Sequence, residues 1–145
     1  MLCDISKVHT GFFGVPKVTH SSEDEHWGKP GHFKKIHAAP NFIQKGGYAF
    51  NDTILERVEN EYWLIEVSEF QSWMFGFERF VGKWETTLLA ENTVRIDYAY
   101  ALHSGSALLF PFHWIFAKTF WRIYMKRILR NVRAMAEGDE PYLFE

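Results

Sequence analysis

The chain has 145 residues, a formal net charge of −2 and a single cysteine, Cys3. This length predicts one domain with a core large enough to fold without disulfides or metals. The lone cysteine excludes an intramolecular disulfide framework and favours a reducing compartment, the cytoplasm. A slightly acidic chain does not fit a nucleic-acid-binding protein. Aromatic residues make up 18% of the chain. This share favours a structure in which wide, flat side chains line an internal space.

Residues 1–47 carry little periodic signal and are predicted to form an irregular rim with short strands. The opening MLCDISKVHTG lacks the basic and then apolar pattern of a signal peptide. GFFGVPKV and WGKPGHF place Gly and Pro beside aromatics, which is typical of turns. PKVTHSS and GHFKKIH are candidate strands. Gly46 and Gly47 predict a hairpin connection, because paired glycines accept positive φ angles.

Residues 48–103 alternate apolar and polar side chains and are predicted to form four antiparallel strands. The clearest strand, TVRIDYAYALH, follows the polar hairpin turn AENT and places Ile96, Tyr98 and Tyr100 on one face. A meander with one apolar face must bury that face against another element.

Residues 107–137 supply that element, because their apolar residues recur at helical spacing. Ser104 or Ser106 is the expected N-cap, Pro111 is tolerated in the first turn, and Gly138 is the expected C-cap. The basic residues fall largely elsewhere on the helix and are interpreted as a solvated face. The half before Trp121 is expected to face the cavity, and the half from Trp121 onward to form ordinary amphipathic packing.

The same stretch is not predicted to be an integral membrane segment. Its charge-free part includes strand residues, His103, Pro111 and His113, and basic residues then follow every few positions. A helix lying at a membrane interface is the alternative to packing on the sheet.

Three motifs carry a family resemblance: WGKPGHFKKIH, GKWETTLLAENTVRIDYAY and KRILRNVRAMAEG. With them the chain resembles the SRPBCC superfamily, which includes START lipid-transfer domains, the major birch pollen allergen and polyketide cyclase/dehydrase-like proteins, the last being the most similar branch. The resemblance covers most of the chain, from Asp4 to Gly138. It implies an α+β helix-grip fold over residues 1–145, in which a curved antiparallel β-sheet wraps around one long C-terminal α-helix.

The N-terminus departs from that family pattern. Members usually have a strand and a short helix before the segment that DISKVHTGFFGVPKV resembles, and this chain starts later. Either the strand is absent or the N-terminal register is misassigned. An absent strand would leave a sheet edge unpaired, and such an edge favours a homodimer.

The resemblance also implies an apolar cavity between the sheet and the helix. The expected ligand-binding residues are mostly aromatic: Phe80, Trp84, Tyr98, Tyr100, Phe112, Phe116, Phe120 and His113. The alternative is that these side chains fill the space as an ordinary core.

Polar residues near that space are candidates for proton transfer. Glu56 falls between Ile54 and Val58 on a face expected to point inward, where burial would raise its pKa. The alternative is a register error that leaves Glu56 in solvent. Tyr98 and His103 are the other catalytic candidates; for the histidine a structural role is the alternative.

Neither a metal nor a cofactor is predicted. His20, His26, His32 and His37 do not have the spacing of a compact zinc site. The sequence also has no phosphate-binding glycine loop and no nucleophile elbow.

Three functions follow from these observations. The first is binding or carriage of a hydrophobic small molecule, a lipid or an aromatic, polyketide-like compound. The second is a cyclase- or aromatase-like enzyme with acid–base residues in the cavity. The third is a protein-interaction module on the same scaffold.

Overall fold

The computed structural model describes residues 5–12, 14–42, 44–71 and 76–138. A short helix, α1, precedes the sheet, and a long helical segment follows it. The segment consists of α2, a π-helical turn and α3. The helical elements are α1 (Ile5–Val8), α2 (Phe110–Phe116), the π-helical turn (Ala117–Trp121) and α3 (Arg122–Glu137). The strands are β1 (Val18–Glu23), β2 (Phe33–Ala38), β3 (Gly47–Val58), β4 (Tyr62–Ser68), β5 (Phe77–Ala90) and β6 (Thr93–Ser104).

The six strands in the described residues form one antiparallel sheet in the order β1-β2-β3-β4-β5-β6. The curved sheet and the long C-terminal helix confirm the predicted α+β helix-grip fold. The two candidate strands in residues 1–47 are β1 and β2, and the four strands predicted in residues 48–103 are β3 to β6. Gly46 and Gly47 both have positive φ as expected, but the connection before β3 spans residues 39–46 and is not a tight turn.

A β-bulge in β3 reverses which residues point inward. Ile54 pairs with Ile65 and Glu56 pairs with Leu64, so the second strand has one residue fewer over this step. Because side chains alternate along a strand, the extra residue Leu55 moves Glu56 to the outer face. The alternative raised in the sequence analysis, a change of register that leaves Glu56 in solvent, is therefore correct.

Gly82 allows the sheet to carry a tyrosine ring on its inner face. Gly82 on β5 pairs with Tyr100 on β6. A Cβ atom at position 82 would lie 2.7 Å from the Cζ atom of Tyr100, closer than carbon atoms can approach. The glycine in the GKW motif thus makes room for the ring that packs over the strand.

The long helical segment packs on the sheet with its second half. Tyr124, Ile128 and Val132 of α3 are buried, whereas α2 buries only His113 among its residues. The π-helical turn between α2 and α3 rotates the inward face, because it has more residues per turn than an α-helix. None of the helices in the described residues combines the length and apolarity needed to cross a membrane.

The helix ends agree only partly with the sequence prediction. Pro111 lies in the first turn of α2 and Gly138 caps α3, as expected. The N-cap residue is Leu109, which makes no side-chain capping bond, so the expected cap at Ser104 or Ser106 is wrong. The Ser104 hydroxyl lies 2.6 Å from Nδ1 of His113 instead, and ties the end of β6 to the helix.

Candidate functional site

A cavity of about 420 Å³ lies between the concave face of the sheet and α3. Three separate clusters of buried apolar residues surround it, centred on Phe80, on Tyr124 and on Ile36. The cavity reaches the surface at the β3–β4 hairpin, where the exposed residues Glu59 and Asn60 border it. Its volume falls within the range typical of small-molecule sites, about 300–1,000 Å³.

The cavity walls are mostly aromatic. Rings from the sheet and the helix meet at the apolar end: Tyr100 packs against Trp121 with ring centroids 5.2 Å apart, and Phe80 against Trp121 at 4.9 Å. Trp84 and Tyr98 continue the same wall, 5.2 Å apart. Such edge-on contacts hold large flat side chains in fixed positions. The wall is therefore shaped by rigid groups.

A buried ion pair interrupts this apolar surface. Lys34 on β2 and Asp52 on β3 are register partners, and only 7% and 8% of their surfaces are exposed. The Lys34 ammonium nitrogen is 3.8 Å from Oδ2 of Asp52 and 4.3 Å from the ring centroid of Trp27. Burial raises the pKa of the Asp52 carboxyl, and the positive charge of Lys34 lowers it. The pair forms a polar end inside an otherwise apolar cavity.

Three polar atoms in the cavity-lining residues have no hydrogen-bond partner within the described part of the protein: Oδ1 of Asp52, Nε1 of Trp27 and Nε1 of Trp121. An unsatisfied buried donor or acceptor costs about 1–3 kcal/mol. Folded proteins satisfy most such groups. All three atoms are enclosed by neighbouring side chains and have almost no accessible surface, so they do not face the cavity space.

A second polar pair in the cavity wall is already satisfied. The Tyr124 hydroxyl lies 2.6 Å from Nδ1 of His9. Burial, helped by the charge of Lys34, lowers the pKa of His9 to about 4. Burial also raises the pKa of Tyr124. At neutral pH the imidazole is thus uncharged and the phenol is protonated, so the two groups bond to each other.

Tyr98 and Tyr100 line the cavity, and their hydroxyls are hydrogen-bonded to each other. Burial raises the pKa of both phenols, and the nearby Asp52 raises them further. Both groups stay protonated at neutral pH and can donate hydrogen bonds. A proton-abstracting role for Tyr98, one of the catalytic candidates, is disfavoured by this shift.

The structure brings together the strand half of the predicted ligand-binding set. Phe80, Trp84, Tyr98 and Tyr100 all lie in the cavity wall. The helix half does not reach it. Phe112 is 50% exposed on the outside of α2. The expectation that the first half of the helix faces the cavity is wrong, because the π-helical turn brings the second half inward.

Phe116 and Phe120 stack on each other beside the cavity with ring centroids 5.0 Å apart, and neither lies in the wall. His113 is 3% exposed and stacks on Phe77 with ring centroids 3.9 Å apart. It therefore links the helix to the sheet and does not line the cavity.

Two of the three catalytic candidates lie outside the cavity. His103 pairs with Arg79 near the end of the sheet and is not in the cavity wall. The Glu56 side chain is exposed on the outer face and accepts a hydrogen bond from the Tyr62 hydroxyl at 3.1 Å. The expected inward position of Glu56 is thus wrong, and the reason is the bulge at Leu55.

The sequence prediction missed the polar end. The alternation that places Phe50 and Ile54 inward also places Asp52 inward, before the bulge. In the same way Lys34 shares a face with Ile36 in β2. A charged residue at an inward position of each of two adjacent strands was the signal that could have identified the pair.

Metal binding has no support in the described ranges, where no group of three or more His, Cys, Asp or Glu side chains could hold an ion. The titratable groups that do converge on the cavity are Asp52, Lys34, His9 and the tyrosines. They can hold a polar group of a ligand through hydrogen bonds, in surroundings that strengthen such bonds.

Comparison with known proteins supports the fold and goes no further. No protein-family model and no curated protein matches the sequence. In structure, 26 solved chains match. One of them is the crystal structure of Ara h 8.0201, a homologue of the birch pollen allergen, with a TM-score of 0.55 and 17% sequence identity; the match covers 80% of this chain and 76% of that one. The fold of the birch pollen allergen group is therefore shared, and similarity to the polyketide cyclase branch stays a prediction.

Proposed function

We propose that the protein binds a hydrophobic small molecule in the cavity between the sheet and α3. The observation that carries the proposal is the cavity itself: about 420 Å³ of space walled by aromatic rings that do not fill it. The shared fold with Ara h 8.0201 is consistent with this use of the space, although the likeness concerns the fold alone.

The cost of such a space supports a functional role. Residual cavities in protein cores cost about 24 cal/mol per Å³, so a dry void of 420 Å³ would cost on the order of 10 kcal/mol. That is comparable with the whole free energy of unfolding of an ordinary domain. The cavity is therefore filled in solution, by water or by a ligand. An interaction module that needed only a scaffold would gain stability by filling it with side chains.

A cyclase-like enzyme is the second candidate, and one observation favours it. Asp52 is a buried carboxyl whose pKa is raised by burial, and it lies in the cavity wall. A carboxyl whose pKa is raised in this way can act as a general acid or base. The residue to test for catalysis is then Asp52, because Glu56 and His103 lie outside the cavity.

The binding proposal is tested by titrating the protein with N-phenyl-1-naphthylamine, a probe whose fluorescence rises in apolar surroundings. Two exposed alanines on α3 give a matched pair of variants: Ala136 borders the cavity and Ala134 does not. We expect Ala136→Trp to weaken binding by about tenfold or more, because the larger side chain intrudes on the cavity that Ala136 borders, and Ala134→Trp to bind like the wild type. Equal affinities for both variants, or no binding by the wild type, would contradict the proposal.

A further inference from the structure

The start of the long helical segment exposes a patch of large apolar side chains, which we call the α2 face. Leu108 is 87% exposed, and the other members are at least half exposed. The α2 face consists of Leu108, Phe110, Phe112, Trp114 and Ile115. Single apolar residues are common on protein surfaces, but a contiguous group of large ones marks an interaction site. None of the five lines the cavity between the sheet and α3, so the α2 face is separate from the proposed ligand site.

A row of basic residues continues from the α2 face along the helix. Side chains four residues apart lie on the same side of a helix, one turn after the other. Taken in steps of four, the exposed residues of this row are Phe110, Trp114, Lys118, Arg122, Lys126 and Arg130. Lys118, Arg122 and Lys126 border one surface groove beside β6, so they do share a side. Within the described residues, none of these three forms an ion pair.

The charges of the chain are unevenly distributed around this surface. Residues 98–136 contain six Lys and Arg residues and no Asp or Glu, although the whole chain has a net charge of −2. The surface is therefore apolar at one end and positively charged along the rest. Its complement is a partner that is apolar inside and negatively charged outside. A lipid bilayer that contains anionic lipids has this arrangement.

We propose that the α2 face and the basic row bind the surface of an anionic lipid bilayer. The side chains of the α2 face enter the boundary between headgroups and acyl chains, where Trp114 is especially favoured. Lys118 and Arg122 follow Trp114 by about 6 and 12 Å along the helix axis, and they contact lipid phosphates. The inference goes beyond the proposed function, because it assigns a partner to a surface outside the cavity.

Other partners fit this surface less well. A second copy of the chain, meeting the first through the same face, would bring two rows of basic residues together, and like charges in an interface are costly. A polyanion without an apolar layer would leave the α2 face in water. A bilayer of neutral lipids would accept the apolar side chains but would give the basic row no counter-charge. Only an anionic bilayer uses both parts of the surface.

The test is co-sedimentation of the protein with unilamellar vesicles of two compositions. One is pure phosphatidylcholine, and the other also contains about 30% phosphatidylglycerol, which is anionic. We expect the wild type to bind the anionic vesicles about tenfold or more tightly than the neutral ones, because each basic residue near the surface adds to the attraction. Raising the salt concentration to about 0.5 M should remove most of this preference, since salt screens exposed charges.

Two matched pairs of variants assign the binding to this surface. Trp114→Ser/Ile115→Ser removes exposed apolar side chains of the α2 face, and is expected to weaken binding to anionic vesicles about tenfold or more. Its control is Leu88→Ser/Leu89→Ser, which removes two apolar residues that are 69% and 59% exposed near the β5–β6 hairpin. The control is expected to bind like the wild type.

The second pair tests the basic row. Lys118→Gln/Lys126→Gln is expected to lower the affinity for anionic vesicles about tenfold or more and to leave binding to neutral vesicles unchanged. Lys29→Gln/Lys83→Gln changes the net charge equally at other places on the surface and is expected to keep the preference. All four variants should still bind N-phenyl-1-naphthylamine in the absence of vesicles, which shows that they are folded.

Three results would contradict the membrane surface. They are no binding of the wild type to anionic vesicles, equal binding to both compositions, and equal losses for a variant and its control. A dimer that Trp114→Ser/Ile115→Ser dissociates, without any vesicle binding, would assign the α2 face to a second copy instead. Vesicle binding by a protein that does not bind N-phenyl-1-naphthylamine would contradict the proposed function and leave this inference standing.

Discussion

Replacing Asp52 with leucine removes one partner of the buried ion pair and leaves the Lys34 ammonium alone in the cavity wall. The two charged atoms are 3.8 Å apart. At an effective dielectric constant of about 20, two unit charges at that distance attract by about 4 kcal/mol. Because both residues are buried, breaking such a pair typically costs about 3–5 kcal/mol.

The double variant Lys34→Met/Asp52→Leu has a different expected stability. Removing both charges also removes the desolvation penalty of both ions, which is several kcal/mol for each. We therefore expect Asp52→Leu to lower the free energy of unfolding by about 3–5 kcal/mol, and the double variant to lie within about 1 kcal/mol of the wild type or above it.

Urea denaturation monitored by circular dichroism at pH 7 measures these free energies. The comparison requires that the m value, the slope of the unfolding free energy against urea concentration, is the same in all variants. Two results would contradict these expectations. A loss below about 1 kcal/mol for Asp52→Leu would show that the carboxyl carries no charge opposite Lys34. A double variant as unstable as the single one would show that packing, and not charge, decides the stability of this region.

Three further predictions follow from other parts of the molecule. Burial lowers the pKa of His9 to about 4, so as the pH falls below 6.5 the unfolded chain takes up a proton that the folded chain does not. The free energy of unfolding therefore falls by about 2 kcal/mol between pH 7.5 and pH 5 because of His9 alone. His9→Gln should show a correspondingly flatter dependence of the unfolding free energy on pH. Gly82→Ala should lower that free energy by about 1–3 kcal/mol, because its Cβ would overlap the Tyr100 ring, and an unchanged melting temperature would contradict this packing. β1 and β6 are the edges of the sheet in the described residues. The homodimer predicted from an unpaired edge should give twice the chain mass in light scattering, and a monomer mass would rule it out.

The strand pattern was predictable because one physical rule governs it. The alternation of Ile96, Tyr98 and Tyr100 places these side chains inward in the structure, as the sequence indicated. The rule fails where the chain breaks the period. The bulge at Leu55 depends on how β3 meets β4, which no local pattern records, and it was enough to move Glu56 from the cavity to solvent.

The prediction of which helix face is buried was wrong for a related reason. Its apolar residues are spread almost all around the segment from Phe110 to Trp121, so periodicity alone did not decide which face is buried. The π-helical turn then shifted the phase, and Phe112 became exposed while Trp121 reached the cavity. Most of the fold was thus accessible from the sequence. The helix side of the site depended on a local backbone irregularity.

The polar end cannot be recognised from either strand alone. Lys34 and Asp52 occupy inward positions that alternation already defines, but only the register of β2 against β3 shows that they face each other. That pairing turns two isolated charges into a candidate ligand anchor.

Native mass spectrometry of the protein purified from its source tests the central claim most directly. We predict a complex of one chain with one small, mainly apolar molecule that is released under denaturing conditions. A spectrum that shows only the bare chain mass, from protein that also fails to bind N-phenyl-1-naphthylamine, would contradict the claim that the cavity is a ligand site.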